Sequence, residues 1–155
     1  MLKRYTFWLW TAVVLQFLTA AIHATSLFVS PVPANETERQ LHELIITYQK
    51  DLGGGFVRTF ADLFTALSSC FSFVCLLGGL VSAYLLKKRA STEIVGGITL
   101  IELIVFSAIF AVMVVFTFLP PIILTGLIVL TLLIGYLMLK LQTSNDVREM
   151  DVSEL

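Results

Sequence analysis

The chain has 155 residues, 57% of them hydrophobic and 14% charged, with a mean hydropathy of +0.92 and a formal charge of −1. Soluble domains carry roughly 25% charged residues, so a globular water-soluble fold is excluded once the long apolar runs are counted. The near-zero charge likewise gives no electrostatic basis for binding nucleic acid. About 20 apolar residues cross a bilayer core of about 30 Å, and four runs of that kind are present. The chain therefore reads as an all-α integral membrane protein. The expected architecture is a four-span antiparallel helix bundle over residues 1–141, with an amphipathic surface helix between spans 1 and 2 and a polar tail over 142–155.

Lys3 and Arg4 precede the first apolar run, residues 7–28. A basic start and an apolar run also describe a signal peptide, but this run exceeds the usual 7–15 residues of such a segment. Trp8 and Trp10 suit an interfacial anchor, so a retained span is expected. Pro31 and Pro33 then break the helix. Asn35, a favoured N-cap, with Glu38 three residues on, forms a capping box and starts a new helix over about 35–50. Leu41, Leu44, Ile45 and Tyr48 make one apolar stripe along it, which places the helix on the membrane surface or over the bundle mouth. Gly53, Gly54 and Gly55 are expected to end it as a flexible joint.

The second span covers 58–86 and stops at Lys87, Lys88 and Arg89. The third covers 94–119, and Pro120-Pro121 makes a tight reversal into the fourth, 122–140. Residues 142–155 read as solvated and partly disordered. Lys3, Arg4, Lys87, Lys88, Arg89, Lys140 and Arg148 fall on one side of a four-span topology, against Arg39, Lys50 and Arg58 on the other. By the positive-inside rule both termini are expected in the cytoplasm of a plasma or inner membrane.

Within the second span Asp62, Thr65, Ser69 and Ser72 recur at i, i+3, i+7 and i+10, a narrow sector at about 100° per residue. Gly79 and Ala83 extend it. The first span repeats the spacing in Gln16, Thr19, His23 and Ser26, so two polar seams are expected to face one another inside the bundle. Glu102 lies roughly 12 Å into the third span. A central acid costs about 2.5–3.5 kcal/mol to insert, against about 0.3–0.6 returned by each large apolar residue. The span therefore still inserts, and Glu102 must face the interior. It is either a proton carrier or ligand contact, or a neutral acid hydrogen-bonding a neighbouring helix. Asp62 has Arg58 four residues before it as a local partner. His23 and Asp62 could instead form one end of a polar pocket under a lid bearing His42 and Glu43.

Cys70 and Cys75 point about 140° apart on a helix, which rules out a mutual disulfide, and both read as buried thiols. The Gly78-Gly79 and Gly96-Gly97 pairs are expected to let helices approach closely. No phosphate-binding loop, dinucleotide fingerprint, zinc-protease motif or nucleophile elbow is present, so no catalytic residue, cofactor or metal is assigned.

The expected function is a non-enzymatic accessory subunit or carrier. Its partners would be the lipid bilayer and a lipophilic small molecule, a partner membrane helix or a second copy. Candidate residues are Gln16, Thr19, His23, Asp62, Thr65, Ser69 and Glu102. The rival expectation is a membrane-embedded enzyme or proton-coupled transporter using Glu102 and His23.

Overall fold

The computed structural model describes residues 4–29 and 32–153. Lys3 of the basic start, with Ser30 and Pro31 of the expected break, lies outside them, as do the side chains of Ser26 and of residues 145–153. The elements in order are α1 (Tyr5–Ser26), α2 (Glu36–Thr47), β1 (Gln49–Asp51), β2 (Val57–Thr59), α3 (Phe60–Lys88), α4 (Thr92–Phe116) and α5 (Leu119–Ser153). Four helices are long and apolar enough to cross a membrane, over Tyr5–Thr25, Phe60–Lys88, Thr92–Phe116 and Leu119–Ser144. The protein is an all-α, four-span membrane protein with a short helix between spans 1 and 2. Residues 142–153, read from sequence as a polar tail, continue α5.

The helix ends are set by local chemistry. At the end of α3, Arg89 takes a left-handed backbone (φ 52°). The Ala90 amide donates to the Leu85 carbonyl at 3.1 Å and the Arg89 amide to Leu86 at 3.2 Å. This is the closing pattern of a helix whose next residue would ordinarily be glycine. Ser91 caps α4 through the Ile94 amide. Thr117 closes α4 by donating its hydroxyl to the Met113 carbonyl at 2.7 Å. Pro120 and Pro121 occupy the first turn of α5, where a missing N–H costs nothing.

The chain forms two compact units, Met1–Thr19 with Cys75–Leu155, and Ala20–Val74. In the first, the core is a set of helical stripes: Leu9, Ala12, Val13 and Gln16 on α1; Val95, Thr99, Glu102 and Phe106 on α4; Ile128, Leu132 and Leu139 on α5. Each stripe follows the three-and-four spacing of one helix face. Many large apolar residues on the opposite faces are exposed, among them Val14, Leu18, Leu80, Ile101, Ile104 and Leu137. On membrane-spanning helices these are the faces that meet lipid.

The second unit contains the end of α1, α2, a two-stranded hairpin and the start of α3. Asn35 accepts from the Glu38 amide at 2.9 Å, and Glu38 reaches back to the Ala34 amide at 2.7 Å. The capping box therefore forms where the sequence places it, its return bond falling one residue earlier than usual. The glycine run differs from expectation. It is the turn of an antiparallel hairpin in which Gln49 pairs with Thr59, Lys50 with Arg58 and Asp51 with Val57. Gly53, Gly54 and Gly55 all have positive φ (87°, 62° and 82°), a run that residues with a Cβ rarely adopt. The Leu52 amide donates to the Phe56 carbonyl at 2.9 Å and the Gly53 amide to Asp51 Oδ1 at 2.8 Å. The segment expected as a joint is a hydrogen-bonded turn, because three successive glycines permit a tight reversal as readily as a loose one.

Candidate functional site

Glu102 is 7% exposed on α4 and receives hydrogen bonds from two other helices. Ser82 Oγ on α3 donates to one carboxyl oxygen at 2.8 Å, and Gln16 Nε2 on α1 donates to the other at 3.3 Å. All three residues belong to the first unit. No salt bridge to Glu102 occurs among the described residues, so two neutral donors hold the carboxyl. Burying it without partners would cost several kcal/mol, and a bundle interior is where the bilayer tolerates such a group.

Hydrogen-bonding capacity remains unused here. Gln16 Oε1 and Thr19 Oγ1 are buried and have no hydrogen-bond partner among the described residues. They lie at i and i+3 of α1, hence on one face. The space beside Gln16 is narrow, since a Cβ built on Gly78 would lie 3.3 Å from both amide atoms of Gln16 and from the Phe106 ring.

The other sequence candidates have different surroundings. His23 lies in the second unit, where its ring stands edge-on to Phe71 with centroids 4.9 Å apart. Asp62 accepts from the Thr59 amide at 2.9 Å while Thr59 Oγ1 accepts from the Asp62 amide at 3.2 Å. That reciprocal pair caps the start of α3. Arg58, expected beside Asp62, donates to the Val57 carbonyl at 2.8 Å and lies over the Phe56 ring. Thr65 is exposed, and Ser69 donates to the Thr65 carbonyl at 2.7 Å, satisfying its hydroxyl within its own helix. Cys75 is buried but Cys70 is exposed, so only one of the two thiols is interior.

The buried face of α3 has the spacing read from sequence but a different origin. Ser72, Cys75, Gly79 and Ser82 are buried, at i, i+3, i+7 and i+10. The stripe starting at Asp62 has identical spacing ten residues earlier, which turns it by roughly 80° about the helix. Ser82 was missed for that reason. Counting onward from Ser72, the only one of the first four stripe residues that is buried, would have found it.

Of the lid residues, His42 is half-buried and lines a crevice of about 190 Å³ with Val32, Pro33, Glu38, Leu41 and Ile45. Glu43 lies 3.6 Å from Arg39 and is exposed. Arg39 also makes a two-point ion pair with Glu36, at 2.6 and 2.8 Å, and Gln40 adds a third bond at 3.1 Å. The Arg39 guanidinium, with Gln40, holds the Glu36 carboxyl below the usual carboxylate range. A depressed folded-state value stabilises α2 above the ordinary carboxylate range, and the effect is lost as pH falls through the folded value. Arg39→Gln is therefore expected to raise the Glu36 titration midpoint in an NMR pH series. An unmoved midpoint would show that the pair is not held in solution.

No protein-family model matches the chain, and neither the curated proteins nor the solved structures contain a match to it.

Proposed function

We propose that the protein is a non-enzymatic accessory subunit or small carrier that binds a lipophilic molecule through the interior cluster around Glu102. The observation that carries this reading is the pair of buried oxygens, Gln16 Oε1 and Thr19 Oγ1, left without partners among the described residues, the first on the amide that also holds the Glu102 carboxyl. An unsatisfied buried acceptor costs about 1–3 kcal/mol, a penalty that a donor from a ligand offsets. The tight packing at Gly78 restricts that donor to a slender group such as a hydroxyl or an amide N–H. In this reading both termini are cytoplasmic, and α2, amphipathic with His42 half-buried, lies on the outer membrane surface.

Mass spectrometry of lipophilic molecules that co-purify in detergent tests it. Thr19→Val keeps the side-chain shape and leaves the bonds to Glu102 intact, so it is expected to lose the retained molecule while the protein melts normally. Gln16→Leu is expected to lose it as well. Unchanged retention in both variants overturns the proposal.

A second reading is favoured by the neutrality of the Glu102 partners. A carboxylate there accepts from Ser82 and Gln16, and a protonated acid can donate to Gln16 Oε1 if the amide rotates. The same three side chains thus serve both charge states, as a proton carrier in a coupled transporter requires. Proton-dependent flux in proteoliposomes that survives Glu102→Gln would eliminate this reading.

A further inference from the structure

At the end of the first unit where α1 begins and α3 finishes, Arg4, Tyr5, Thr6, Leu86, Arg89 and Gln142 line a crevice of about 590 Å³. Two arginines line it and, among the described residues, no acid does. Neither guanidinium has a hydrogen bond or ion pair among the described residues. Glu93, four residues beyond Arg89, lines a separate crevice that also contains Lys140. Lys87 and Lys88 are exposed at the same end of α3 but do not line this crevice.

Arg89 is fixed in an unusual way. It is the only described residue other than glycine with positive φ (52°), a conformation that disfavours any side chain. The helix-closing position it occupies is the one where glycine is strongly preferred. Glycine there would relieve the strain but remove the guanidinium. The depth is also informative. The crevice lies at the ends of helices long and apolar enough to span a membrane; a bilayer crossed by them sets such ends at its polar headgroups, a layer that suits the Tyr5 phenol. Basic pockets between helix ends bind phosphate-bearing headgroups, and guanidinium groups match phosphate oxygens in two-point geometry.

We infer that this crevice is a binding site for a phosphate oxyanion, held between Arg4 and Arg89 with the Tyr5 and Thr6 hydroxyls as further donors. The phosphate belongs either to an anionic phospholipid headgroup or to a soluble phosphate ester. The inference is independent of what the Glu102 cluster binds.

The test uses the full chain in a neutral detergent, with dioleoyl phosphatidylglycerol as the probe, dioleoyl phosphatidylcholine as the comparison, and binding read by native mass spectrometry. Phosphatidylglycerol is expected to bind in preference, and Arg4→Gln and Arg89→Gln each to weaken it by about fivefold. Arg89→Gly guards against misfolding, since it removes backbone strain; it is expected to melt no lower than the parent and still lose about fivefold in affinity. A Lys87→Gln, Lys88→Gln double variant is expected to weaken binding less than the Arg4→Gln, Arg89→Gln pair. Competition by glycerol 1-phosphate supports the site and identifies a soluble ester as sufficient. Failure to compete, with phosphatidylglycerol still sensitive to both arginines, supports it and identifies the lipid. Equal binding of the two lipids, equal loss from the lysine and arginine pairs, or no loss from Arg89→Gly overturns it.

Discussion

Replacing Glu102 by leucine is expected to move two measurements in opposite directions. Insertion of α4 into the membrane improves by about 3 kcal/mol, the difference between a central acid and a central leucine. Assembly of the bundle weakens by about 1–2 kcal/mol, since interhelical hydrogen bonds in bilayers average about 0.6 and reach about 1.7 kcal/mol, and Glu102 makes two. The losses are not simply additive, because the substitution also leaves Ser82 Oγ and Gln16 Nε2 buried without their acceptor. Glu102→Gln keeps the shape, one acceptor and a donor able to meet Gln16 Oε1, so it is expected to lose less than half as much. A translocon insertion assay reads the first quantity and steric trapping or thermal melting in detergent the second. An assembly stability unchanged in Glu102→Leu would mean that the three-helix cluster does not hold the bundle together. The gain in insertion alone would not distinguish this protein from any span relieved of an acid.

The second large effect is expected at Gly135 on α5. A Cβ there would lie 2.5 Å from Leu9 Cδ2, 3.1 Å from Leu9 Cγ and 3.5 Å from Trp8 Cβ. Leu9 is 2% exposed and cannot swing away into lipid. Gly135→Ala is accordingly expected to cost about 1–3 kcal/mol by overpacking, and Gly135→Val more. Gly97 on α4 is the matched contrast, with nothing within 4 Å of its added Cβ. Gly97→Ala is expected to be neutral or to gain up to about 1 kcal/mol from helix propensity. Leu9→Ala is expected to cost about 2–5 kcal/mol alone but to absorb the Gly135→Ala penalty in the double variant, giving a favourable coupling of about 1–2 kcal/mol. Strict additivity of the two substitutions would refute the close approach of α1 and α5.

The glycine contrast also separates what a single chain encodes locally from what it does not. The Gly78-Gly79 and Gly96-Gly97 pairs read from sequence as sites of close helix approach. A Cβ added at Gly79 would lie 3.0 Å from the Phe17 ring, one at Gly78 3.3 Å from Gln16 and Phe106 and one at Gly96 3.4 Å from Leu139, whereas one at Gly97 would meet open space. The tightest approach, at Gly135, carried no doublet to draw notice. Which glycine is compressed depends on which neighbour crosses there, and crossing is a property of two helices.

The four spans, the capping box at Asn35 and Glu38, the proline-led start of α5 and the interior position of Glu102 were all legible in the sequence. Each depends on a local quantity: the apolar length needed to cross a bilayer, a side chain's reach to an amide three residues away, a ring that cannot donate, or the cost of a charge in hydrocarbon. The rotation of α3, which buries Ser72, Cys75, Gly79 and Ser82 and leaves Thr65 exposed, was not legible. Spacing defines a face only up to its origin, and the origin is chosen by the helices packed against it. The same holds for the partners of Glu102, one on α1 and one on α3, separated from it by 86 and 20 positions in the chain. Hydrophobicity told this chain where to be, and only packing between helices decided which of its polar groups would meet.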